Sequence, residues 1–274
     1  MSSIFFKNQK LQELKALLSA DIAKLVPNAN IECPVIPAED ETNLSKYDKQ
    51  WDEYISTVKN KSRPAISNPI NVKILAIADT HGNVASGGWL LNSLKNYKGT
   101  RFDIILFLGD IPSGDINILF EYISANLILG VYGNHDSPGA FDRYNIEDLH
   151  KKIICTADNI WIAGIEGSVK YNNSEGAKLS HAESIAVCDE LLPTDILVSH
   201  DTYYHIGDDK VTHKGLAGIS KFLYENHVPY HIHGHTHQRT VEKLSNGTVS
   251  IGVYGAAVIN IQKGEVSVHN LATG

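Results

Sequence analysis

Val72-Lys73-Ile74-Leu75-Ala76-Ile77-Ala78-Asp79-Thr80-His81 is a short apolar run that ends on two side chains able to bind a metal. Its length and composition predict a buried strand, with Asp79 and His81 just past the carboxyl end. The pattern recurs four times. Ile104-Ile105-Leu106-Phe107-Leu108 leads into Gly109-Asp110, and Leu127-Ile128-Leu129-Gly130-Val131-Tyr132 into Gly133-Asn134-His135-Asp136. Ile196-Leu197-Val198-Ser199 leads into His200, and Tyr230-His231-Ile232-His233 into Gly234-His235-Thr236-His237. Loops past the carboxyl ends of an open α/β sheet converge on one crevice, so the five motifs are expected together.

The residue types point to a pair of divalent cations about 3.5–4 Å apart, which need oxygen and imidazole ligands plus one carboxylate to bridge them. Asp110 is the natural bridge. Asp79, His81 and His237 complete a first site, and Asn134, His200 and His235 a second, with positions left for water and substrate. Two such cations with Asp79, Asp110 and a hydroxide keep a net positive charge, which suits a phosphate; the neutral amide of Asn134 preserves that surplus. His135, not a ligand in this scheme, is free to protonate a leaving oxygen or stabilise phosphoryl charge. Asp136 and Asp115 are both candidates for the carboxylate that orients it, and Asp136 is favoured.

These motifs, from about Asp79 to His237, resemble those of the calcineurin-like metallophosphoesterase family. The resemblance implies an α/β protein built as a four-layer α/β/β/α sandwich. It also implies a dinuclear centre filled by manganese, iron, zinc or a mixture, and in-line attack on phosphorus by a metal-bound hydroxide. Gly164-Ile165-Glu166-Gly167-Ser168, Gly207-Asp208 and His213-Lys214-Gly215 are similar to small single-domain bacterial members, which makes His205, Asp208 and His213 candidates for substrate contact. Ser113 stands where purple acid phosphatases carry a tyrosine and protein phosphatases an acidic residue, and Gly133 where the latter carry an arginine, so neither branch is expected.

Composition fits an ordinary enzyme: 274 residues, 43% hydrophobic and 20% charged, bury a sizeable core. The formal charge of -7 and the lack of a Lys/Arg run disfavour broad nucleic-acid binding. Cys33, Cys155 and Cys188 stand outside the motifs and read as reduced thiols. With no secretory signal or spanning segment read in the sequence, cytoplasmic residence is the default expectation.

Ahead of the first strand, residues 1–67 read as a helical extension, with helices over Lys10–Leu25 and Tyr47–Val58 joined by a polar loop from Ile36 to Lys46, and residues 68–274 as the catalytic domain. Packing on the sandwich is favoured for the extension over a dimer contact or a substrate-side lid. Further helices are expected over Gly88–Tyr97, Asp115–Ser124, His181–Leu192 and Leu216–His227. The tail, Thr248–Asn270, reads as antiparallel strands completing the second sheet. His231 and His233 alternate on one strand and are expected to be structural, while His150, His181, His227 and His269 carry no motif and read as solvated or hydrogen-bonded. Lys170-Tyr171-Asn172-Asn173 offers a cation, a ring and amides suited to the organic group of an ester.

A phosphate-ester hydrolase is the leading expectation, with diesters slightly favoured and a small phosphate ester as partner. The alternatives are a phosphomonoesterase, or a metal-binding scaffold of the same fold with little turnover.

Overall fold

The computed structural model describes residues 47–58, 70–172, 175–205 and 213–271. The expected helix over Lys10–Leu25, the loop to Lys46, Cys33 and Asp208 lie outside them.

Two six-stranded sheets stack face to face, with helices outside each. In the first, β1 (Asn71–Ala78) lies parallel to β2 (Arg101–Phe107), which is parallel to β3 (Ser124–Gly130) and, beyond it, β4 (Glu147–Asp148). On the other flank of β1 run β13 (Gly255–Gln262) and β14 (Glu265–Asn270), both antiparallel to their neighbours. The second sheet runs in the order β11 (Thr240–Lys243), β12 (Val249–Gly252), β10 (Tyr230–His233), β9 (Ile196–Ser199), β6 (Trp161–Ile165), β5 (Ile153–Cys155). Its four inner strands are parallel. A two-stranded ribbon pairs β7 (Ser168–Val169) with β8 (Lys178–Leu179).

Strand side chains alternate between faces, and β1 shows what that does. Ile74, Ala76 and Ala78 point between the sheets, where they meet Leu106, Leu129, Val198, Ile232 and Ile251. Leu75 and Ile77 point outward to pack on α2 (Trp89–Lys95) and α3 (Ser113–Leu119) through Leu90, Leu94, Ile116 and Leu119. The outer face of the second sheet is covered by α4 (His181–Asp189) and α5 (Ala217–Asn226). The α/β/β/α order follows from chains that are apolar on both strand faces and therefore need a cover on each.

Two expectations are corrected. The helix expected over Asp115–Ser124 begins at Ser113, because Pro112 presets its entry, and it ends at Leu119, so that Ser124 opens β3. The tail does not complete one sheet: β12 joins the second, parallel to β10, while β13 and β14 extend the first. Of the extension, α1 (Asp48–Val58) is described. Its Trp51 and Tyr54 are buried with Tyr204, Ala217 and Tyr224.

Candidate metal centre

Asp79, Asp110, Asn134, His200 and His235 leave the carboxyl ends of β1, β2, β3, β9 and β10, and all five are buried. His81 and His237 lie at the exposed rim, the His237 side chain 48% exposed. Main-chain bonds stitch the loops together: Asp79 N–H donates to Gly109 O at 3.0 Å, Thr80 N–H to Asp110 O at 3.1 Å and Gly234 N–H to His200 O at 3.0 Å. Gly109, at φ 93°, lets them close, because a Cβ there would stand 2.5 Å from Gly133 N.

Five of these residues occupy the left-handed region: Asp79 (φ 52°), His81 (45°), Asp110 (56°), His235 (63°) and His237 (52°). That conformation is costly for residues other than glycine, and it is held here because it turns each side chain inward from the strand end.

The side chains fall into two overlapping groups. Asp79, His81 and His237 offer ligand atoms within 4.8 Å of one another, and so do Asp79, Asp110 and His200. Asp79 is common to both. Its Oδ2 accepts the His235 N–H at 2.9 Å, while its buried Oδ1 accepts no hydrogen bond and faces His237 Nε2 at 3.5 Å. His81 Nε2 lies 3.2 Å from His237 Nε2.

His200 shows the same demand. Its Nδ1 lies 2.7 Å from the Leu108 carbonyl, which can only accept, so Nδ1 carries the proton. Burial drives its pKa down to about 3, so the ring is neutral and Nε2 presents a lone pair. That lone pair meets Asn134 Oδ1 at 3.1 Å and Asp110 Oδ2 at 3.7 Å. Three acceptors converge with no proton to share. Such a constellation of carboxylate, amide oxygen and imidazole suits a divalent cation. His235 places its ring 4.9 Å from that of His200, and His213 meets His235 edge to face at 5.5 Å.

His135 stands exposed at the rim, its ring centroid 6.0 Å from that of His81 and its N–H on Asp110 Oδ1 at 2.8 Å. The expected pairing with Asp136 is absent. Asp136 instead clamps two loops, Oδ2 accepting from Asp110 N (2.8 Å) and Gly133 N (2.7 Å) and Oδ1 from Ile111 N (2.8 Å). Burial pushes its carboxyl up to about 6. Asp115 is likewise spent on Gly82 N and Ala85 N, at 3.0 and 2.7 Å. Both carboxylates therefore hold the loop backbone and not the imidazole.

Three neighbours were given no role at the centre by the motif reading. Tyr171, in a loop noted only for its composition, accepts from Asn134 Nδ2 at 3.4 Å, which turns the amide oxygen toward His200. Tyr254 stacks on His237 at 5.1 Å and carries the Arg239 guanidinium 6.0 Å from its ring. Lys214 is buried beside His213. No local spacing signals such contacts. His231 and His233, by contrast, behave as expected: stacked at 4.9 Å, they hydrogen-bond Ser199, Ser250 and the Gly234 carbonyl.

Residues 72–239 match the calcineurin-like phosphoesterase family profile. No curated protein matches the chain. Among solved structures, TT1561 of Thermus thermophilus shares 14% identity over 74% of this chain and 100% of its own, with a TM-score of 0.54. A dimetal phosphatase from Danio rerio shares 12% identity over 75% of this chain and 100% of its own, with a TM-score of 0.44. At such identities the first likeness speaks to fold alone, and the second is too distant to carry an argument.

Proposed function

The chain belongs to the calcineurin-like phosphoesterase family of metal-dependent phosphoester hydrolases, and from that premise we propose that it hydrolyses phosphodiesters somewhat in preference to monoesters, using residues 68–274 as the catalytic unit. The observation that carries this reading is the convergence of unshared acceptors: Asp79 Oδ1, His200 Nε2, Asn134 Oδ1 and Asp110 Oδ2. When bound, two divalent cations supply the Lewis acidity that activates water and neutralises phosphoryl charge.

On this reading Asp79, His81 and His237 would hold one cation and Asn134, His200 and His235 the other, with Asp110 available to both. The Leu108 carbonyl keeps the His200 proton off Nε2, and Tyr171 keeps the Asn134 oxygen turned inward. His135, at the rim, donates a proton to the departing alkoxide. An alkoxide leaves phosphorus poorly without such a donor. His213 lines the substrate side through its contact with His235.

The test is hydrolysis of bis-p-nitrophenyl phosphate and p-nitrophenyl phosphate by metal-stripped protein, with manganese, zinc or no metal restored, beside Asp110→Asn. Metal-dependent turnover, faster on the diester and lost in Asp110→Asn, is expected. Two bound metals without turnover of either ester would favour the scaffold reading instead.

A further inference from the structure

Helix α1 reaches a segment far along the chain: the Tyr204 hydroxyl donates to Asp48 Oδ1 at 3.0 Å across 156 residues. The same carboxylate lies 3.2 Å from Lys214 Nζ, whose side chain is 3% exposed. Trp51, fully buried, stacks on Tyr204 at 5.5 Å, and Lys214 Nζ lies 5.1 Å from the centre of the Tyr204 ring. Tyr54 adds a bond to Glu225 on α5 at 2.7 Å. An ammonium buried this deeply is strongly disfavoured once a counter-charge is taken away, so Asp48 bears directly on where Lys214 sits.

Lys214 follows His213, whose ring meets His235. The backbone from Lys214 onward is tied down: His205 N–H donates to Lys214 O at 2.7 Å and Leu216 N–H to Thr202 O at 3.0 Å. Lys214 shares a peptide unit with His213, so the place held for one sets the place of the other.

We propose that α1 is a positioning element of the catalytic centre, in which Asp48, by neutralising Lys214, fixes the backbone that sets His213 against His235. The consequence for substrate affinity rests on the hydrolase reading above; the positioning itself does not.

The test uses the full chain loaded with manganese, as parent, Asp48→Asn and Asp48→Glu. Asp48→Asn keeps an acceptor for Tyr204 but removes the charge, and Asp48→Glu restores it. Amide hydrogen exchange over Lys214–Ala217 is expected to quicken about tenfold in Asp48→Asn, with exchange over β10 unchanged and Asp48→Glu close to parent. The KM for bis-p-nitrophenyl phosphate should rise about fivefold with kcat and manganese affinity held. Unchanged exchange at Lys214–Ala217 overturns the proposal whatever the turnover, and so does an equal loss of protection across β10, which would mean general loosening. If the parent hydrolyses neither ester, the hydrolase reading fails while the exchange comparison still decides this one.

Discussion

At the residue scale the proposed roles separate groups that would hold cations from one that would move a proton. Asp110 places one oxygen toward His200 and the other on the His135 N–H, so Asp110→Asn is expected to lose metal and turnover together. His135→Ala removes a ring outside the convergent acceptors. Metal content, read by mass spectrometry of the eluted ions, should stay at the parent value while kcat falls about 10²–10⁴-fold, the usual share of a general acid. A His135→Ala variant with parent kcat would remove it from the reaction. Tyr171→Phe tests the amide's orientation: manganese should bind more weakly, by about tenfold, with the fold intact.

At the scale of elements, α4 and α5 cross where Gly218 leaves no room. A Cβ there would come within 2.2 Å of the Ser184 backbone, and Gly218 N–H already donates to Ser184 Oγ at 3.0 Å. Gly218→Ala is expected to cost about 1–3 kcal/mol in denaturant unfolding by forcing the helices apart. The five parallel strands β1, β2, β3, β9 and β10 and the residues ending them were legible in the sequence because each run is largely apolar and closed by a polar turn. The tail was not: a short apolar strand such as Val249–Gly252 or Gly255–Gln262 reads the same in either sheet, and its direction is set by a partner distant in sequence. Asp136 was misread for a related reason. Adjacency to His135 suggested a contact, whereas the turn points the carboxylate back at the amides of its own and the preceding loop.

At the scale of the molecule, buried histidines link the fold to pH. Burial, with Lys214 nearby, lowers His181 from 6.5 to about 4 in the folded chain. Between those values the unfolded chain binds a proton that the folded one refuses. The contribution of His181 is thus whole above pH 6.5 and lost as pH falls toward 4, about 3 kcal/mol in all. In the neutral variant His181→Gln this loss disappears, so its stability deficit against the parent should shrink by about that amount between pH 7 and pH 4. A constant deficit would show that the ring is not neutral when folded. The left-handed positions of the candidate centre carry a different consequence, one for descent and not for chemistry. Each holds its backbone where glycine would rest more easily, and His81 is exposed, so His81→Gly gives up little packing and relieves about 1 kcal/mol of strain in metal-free protein. Metal-free melting should show the damaged copy outlasting the working one. Left without selection for turnover, a lineage on this fold would drift toward sturdier, silent descendants.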